Sequence, residues 1–132
     1  MVSATRFLYR SRRYLPMVGL HATRLRRAWG TRAGSIGLFT GAELRRPVTY
    51  SLSVWRNRDD LRDFLRAPEH AKLMRDFRDR LESSTSVVWD MDEFTPDSAW
   101  REGLRRLSEQ AISPAAASRE GSAARPRSAS AR

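Results

Sequence analysis

Residues 48–55, Val-Thr-Tyr-Ser-Leu-Ser-Val-Trp, decide how the rest of this chain is read. Thr49, Ser51, Ser53 and Trp55 alternate with Tyr50, Leu52 and Val54. A period of two is the mark of a strand, with one set of side chains on each face. Asn57 follows as a capping residue, and Asp59 and Asp60 suit the positive end of a helix. Leu61, Phe64 and Leu65 form the inner stripe of that helix. Pro68 interrupts the stripe, and Ala71, Met74, Phe77 and Leu81 resume it. The spacing predicts a broken helix whose second part starts near Pro68.

Upstream, Gly34 to Leu44 is apolar with three glycines and reads as a strand bulged near Gly37. Arg45-Arg46-Pro47 makes the turn into residue 48. Residues 2–10 alternate as well and predict a first strand. Ser11 caps the helix after it, Leu15, Val18, Ala22, Leu25 and Trp29 make its stripe, and Gly30 ends it. Downstream, Thr85–Phe94 reads as a strand, Pro96 and Asp97 as a turn, and Ser98–Gln110 as a short last helix. The order βαββαβ predicts an α+β, ferredoxin-like subunit: an antiparallel four-stranded sheet, helices on one face, and a short C-terminal helix. The strands carry apolar residues on both faces, so the uncovered face is expected to meet a second subunit.

Length and composition fit one domain. Of 132 residues, 40 % are hydrophobic and 30 % charged, and none is cysteine. Disulfides, thiol catalysis and cysteine-bound metals are therefore excluded. No run is apolar enough for a membrane span or a secretory signal, so the expected location is cytoplasmic. Of the 25 basic residues only Lys72 is lysine, which points to the coding bias of a GC-rich, bacterial genome. Residues 1–42 hold eight Arg and no acid; residues 43–111 hold 14 acids against 13 basic residues. The first segment alternates and then shows helical spacing, as folded structure does, which argues against nucleic acid as its partner. The domain is placed at residues 1–111. Residues 112–132 lack aromatic and, after Ile112, large aliphatic side chains, and read as a disordered basic tail.

Thr49-Tyr50-Ser51-Leu52-Ser53-Val54-Trp55, then Asp60-Leu61-Arg62-Asp63-Phe64, Glu69-His70 and Trp89, resemble the dimeric α/β-barrel superfamily. Within it they are similar to the antibiotic-biosynthesis-monooxygenase-like and spheroidene-monooxygenase-like proteins. The resemblance spans roughly residues 2–107. It implies a homodimeric barrel, with a pocket in each subunit for an apolar, polyketide- or carotenoid-like small molecule. It implies an oxygen-dependent monooxygenase, or alternatively a non-catalytic ligand- or haem-binding barrel. Haem is one cofactor it allows, and none is another.

His70 is the candidate catalytic residue and the candidate haem ligand. A place in the first turn of a helix disfavours imidazolium, and a neutral imidazole can take a proton or bind iron. The competing role is plain packing between helix and sheet. Trp55, Trp89 and Tyr50 are candidates to line a pocket for a flat apolar ligand, and Ser51 and Ser53 to orient its polar group. Aromatic residues on strands serve equally as core. His21 at the stripe's edge reads as structural. Asp90, Asp92 and Glu93 lack a nearby histidine and do not make a metal site.

Overall fold

The computed structural model describes residues 1–43 and 45–112. The tail expected from residue 112 onward lies, from Ser113, outside the described residues. The elements are β1 (Val2–Tyr9), α1 (Leu15–Ala28), β2 (Ser35–Glu43), β3 (Val48–Trp55), α2 (Arg58–Arg66), α3 (Pro68–Arg78), β4 (Leu81–Trp89) and α4 (Pro96–Ile112). The four strands form one antiparallel sheet in the order β2-β3-β1-β4. This is the ferredoxin-like arrangement that the order of elements predicts.

Local chemistry sets the boundaries. Ser11 accepts from the Arg13 N–H at 3.3 Å, and so caps a short 3-10 turn, Arg12–Tyr14, that leads into α1. α1 ends at Ala28 and a second 3-10 turn carries Trp29–Thr31, so Gly30 is not the helix stop. The left-handed residue is Gly34, at φ 73°, where an added Cβ would meet Asp60. The expected irregularity in β2 lies between Ser35 and Gly37, and it leaves Ile36 exposed. Asn57 Oδ1 accepts from the Asp60 N–H at 2.9 Å and starts α2. Ala67 is extended, and Pro68 opens α3 in its first turn.

Two elements after α3 have bounds that differ from the sequence reading. β4 begins at Leu81, which pairs with Tyr9, rather than at Thr85, and it ends at Trp89. Leu81 keeps helical spacing from Phe77, and the Glu-Ser-Ser-Thr run after it has no apolar signal. Asp90, Asp92 and Glu93 consequently lie beyond the strand. α4 starts at Pro96, with Thr95 Oγ1 accepting from the Ser98 N–H at 3.3 Å.

The larger correction concerns the second face of the sheet. α1, α2 and α3 cover one face. α4 lies across the other, where the expectation had placed a second subunit. Ala99 and Leu107 of α4 are buried with Val2, Ala4, Leu52, Val54 and Trp89 in the main core. The close approach is made at Gly103. A Cβ there would stand 3.1 Å from Trp89 and 3.2 Å from Ala4. A smaller cluster of Trp29, Trp55 and Leu61, flanked by Leu25 and Phe64, ties the other helices to the sheet.

Two glycine substitutions separate these contacts. Gly103→Val should force α4 off the sheet and cost about 1–3 kcal/mol in urea denaturation. Gly19→Ala in α1 meets nothing within 4 Å. It should stabilise by about 0.5–1 kcal/mol through helix propensity alone.

Candidate functional site

Pairing across the sheet carries the alternation of β3 into its neighbours. Ser53 pairs with Ser3 and Leu38, Ser51 with Thr5 and Thr40, and Thr49 with Phe7 and Ala42. Residues directly opposite each other in an antiparallel sheet share a face. The face beneath α1–α3 is therefore rich in hydroxyls, while Leu52, Val54 and Ala4 face α4. Serine and threonine fill little of the space that a helix leaves above a sheet. The result is a cavity of about 430 Å³ between the two layers, within the size range of small-molecule sites.

The roof of this cavity is aliphatic. α1 contributes Leu15, Val18, Ala22 and Leu25, and α3 contributes Leu73 and Met74. Aromatic groups close its ends. At one end Phe77 takes His21 edge-on at 5.3 Å and Tyr9 at 6.3 Å. At the other, Phe64 gathers Trp29 at 5.5 Å, Trp55 at 5.0 Å and His70 at 4.8 Å.

The hydroxyls of the floor are unequally engaged. Thr5 Oγ1 and Ser86 Oγ share a hydrogen bond at 2.9 Å, and Tyr9 Oη and Thr49 Oγ1 share one at 3.2 Å. Ser53 Oγ accepts from the Trp55 indole N–H at 2.9 Å. Ser51 and Thr40 donate to and accept from no side chain among the described residues, so their hydroxyls are available to a bound molecule.

His70 is the third residue of α3, half-buried on the cavity wall. Burial holds its imidazole below the ordinary 6.5; the Leu65 carbonyl, as a hydrogen-bond acceptor, opposes this, and the Arg32 cation adds to the lowering. The ring is thus neutral near pH 7, the form that can act as a base or a ligand.

The other residues singled out in the sequence are placed as follows. Ser51 and Ser53 line the cavity. Trp55 is wholly buried behind Ser53 and supports the wall without lining it. Trp89 lies on the opposite face, under α4, because it pairs with Val2 and so falls in the Ala4–Leu52 set. It takes no part in the cavity. Tyr50 turns its ring toward Trp100 of α4 at 6.3 Å, and its hydroxyl donates to Glu43 at 2.7 Å. Sequence reasoning missed Trp29, Phe64 and Phe77 as wall residues, and read His21 as structural although it too borders the cavity. The signal was present in Ser3, Thr5, Ser51 and Ser53: a polar strand face beneath helices leaves a gap. Among the described residues no group of three or more His, Asp or Glu is arranged to hold a metal.

The chain has the fold of the antibiotic biosynthesis monooxygenase structures. One such structure, an antibiotic biosynthesis monooxygenase, is 10 % identical with a TM-score of 0.60, covering 70 % of this chain and 100 % of its own. SnoaB from Streptomyces nogalater, a cofactor-independent oxygenase, is 15 % identical with a TM-score of 0.57, covering 72 % and 95 %. Rv0793 from Mycobacterium tuberculosis is 12 % identical with a TM-score of 0.59, covering 71 % and 97 %. At these identities the likeness is one of fold. No family model matches the chain, and no curated protein matches it in sequence. No helix among the described residues is long and apolar enough to cross a membrane.

The state of His70 can be measured directly. Its imidazole should titrate below 6.5 by NMR. A folded value below the unfolded one means that the unfolded chain binds the proton first. Stability should therefore fall as the pH drops through the ordinary histidine value, and level off below the lowered one. His70→Gln should flatten that part of the pH–stability curve.

Proposed function

We propose that this chain is a monooxygenase-like enzyme that encloses an apolar, polyketide- or carotenoid-like molecule between α1, α3 and the hydroxyl face of the sheet. The observation that carries this reading is the cavity of about 430 Å³, aliphatic above and hydroxylated below, with His70 on its wall. The oxygenase described for SnoaB, which has the same fold, supports the reaction class.

The chemistry asks little of the protein. His70 takes a proton from an activated methylene of the substrate. Electrons from the resulting carbanion reduce dioxygen. The methylene becomes a carbonyl, one oxygen atom enters the substrate and the other leaves as water, so the substrate itself is the reductant. Ser51 and Thr40 orient an oxygen of the substrate, and the aliphatic roof keeps water from the carbanion.

Haem binding without turnover is the second reading, and the half-buried His70 on the cavity wall favours it. His70 would hold the haem iron, and haem would supply redox chemistry when bound. Homodimerisation belongs to the proposal as well. With α4 seated on the sheet, a second copy would pack along the β4 edge, where Val88 is exposed, and over α4, where Leu104 is exposed. Light scattering should then report about twice 15.2 kDa. A monomer at micromolar concentration removes the dimer and leaves the cavity untouched.

Anthrone, a flat tricycle with an activated methylene, is a suitable probe. The protein should accelerate its conversion to the quinone with one dioxygen consumed per product. His70→Gln should lower turnover about 10²–10⁴-fold and leave the fold intact. Ala22→Trp, which fills the cavity, should abolish it. Turnover that ignores both changes contradicts the reading. Anthrone bound but left unoxidised establishes the non-catalytic alternative, and a Soret band with added haemin that His70→Ala removes establishes haem binding.

A further inference from the structure

The described residues contain three enclosed side-chain nitrogens without a hydrogen-bond partner: Trp29 Nε1, Arg32 Nε and Trp89 Nε1. Trp89 lies under α4 beside the Arg106 guanidinium. The other two belong to one place. Trp29 packs on Phe64 at 5.5 Å, and the Arg32 guanidinium sits over the same ring at 5.0 Å. Phe64 and Trp29 both line the cavity, as does His70 on the neighbouring side of the Phe64 ring. Arg32 does not itself line the cavity; its guanidinium lies over a wall residue, Phe64, beside the His70 end.

The charge there is uncompensated. Six ion pairs link arginines to carboxylates among the described residues, and Arg32 is in none of them. Residues 1–42 contain no acid at all. Coding bias exchanges lysine for arginine; it does not remove aspartate and glutamate. The terminal guanidinium nitrogens of Arg32 make no hydrogen bond to any described residue, and they are not among the enclosed atoms. They are open to a ligand. The Arg32 cation also acts on His70, lowering its affinity for a proton, which places the two in one electrostatic environment. Beside one end of an apolar cavity, therefore, stand a half-buried guanidinium and an indole whose enclosed Nε atoms have no acceptor. Buried donors are ordinarily satisfied, and a planar guanidinium matches a carboxylate with two parallel bonds.

We propose that Arg32 is a specificity determinant: it receives the carboxylate of an apolar acid whose body fills the cavity between α1, α3 and the hydroxyl floor. This rests on the cavity being a ligand site, and it adds the charge of the ligand and the end at which that charge lies. The carboxylate would lie at the rim against Arg32. The hydrocarbon body would extend past Phe64 and Ala22 toward Phe77.

The test uses two fluorescent probes with the same body, 1-pyrenebutyric acid and its methyl ester. The wild-type chain should bind the acid about tenfold more tightly than the ester, the difference a charge-assisted hydrogen bond makes. Arg32→Gln should bring the ratio of the two affinities close to one. Arg32→Lys, which keeps the charge and loses the fork, should restore part of it. Ala22→Trp should remove both probes from the cavity. Far-UV circular dichroism melts would confirm that each variant folds. Acid and ester bound equally by the wild type, or a ratio unchanged in Arg32→Gln, overturns the carboxylate site and leaves the cavity reading standing. Binding of neither probe overturns both.

Discussion

The pleat of β3 is the constraint on which the rest depends. Successive side chains leave a strand on opposite faces, so Val48–Trp55 sends Leu52 and Val54 one way and Ser51 and Ser53 the other. Leu52 and Val54 build a close-packed core with α4. Ser51 and Ser53, paired with Thr5, Ser3 and Thr40, are too small to fill the space below α1 and α3. One strand thereby specifies a solid layer and a hollow one. A register slip of one residue would exchange them, filling the hollow with Leu52 and presenting hydroxyls to α4.

A hollow layer must be held open, since apolar surfaces tend to close over empty space. Here the struts are aromatic. Trp29, Trp55 and Phe64 form a three-way contact at one end, with ring separations of 5.0–5.5 Å, and Phe77 meets His21 and Tyr9 at the other. α3 spans the interval with His70 near one strut and Phe77 in the other, two turns apart. The break at Ala67-Pro68 makes this possible. A continuous helix from Arg58 would not redirect its second half along the cavity, whereas an extended Ala67 followed by proline starts a new axis.

Much of this was legible in the sequence. The alternation of 48–55, the bulge near Gly37 and the helix start at Pro68 are local signals, and local geometry obeys them. The order of elements then leaves few topologies, and the antiparallel sheet follows. What was not legible depends on contacts between distant segments. Trp89 resembles Trp55 in type and setting, but its face is fixed by pairing with Val2, a partner 87 residues away. The seat of α4 depends on Gly103 meeting Trp89 and Ala4, which no periodicity reveals. His70 was found because proline marks its helix start. Arg32 was hidden among many arginines; what sets it apart, an enclosed Nε and a seat over the Phe64 ring, depends on a residue 32 positions away.

The same contacts bear on the proposed chemistry. A cation beside a histidine makes the imidazole a weaker base, which is a cost for proton abstraction. It also lowers the energy of any anion formed between them, because an anion interacts favourably with Arg32 as soon as it appears. Both effects arise from one charge, yet they act on different species. The first adds to burial, the larger cause, in disfavouring a proton on His70. The second acts only on negative charge on the ligand, whether carried in or created there. Ser51 and Thr40 stand on the floor as neutral dipoles and cannot supply this asymmetry. The end of the cavity near Phe64 is therefore the one that Arg32 polarises toward anions. An elongated apolar molecule entering such a space is oriented by charge before it is oriented by shape.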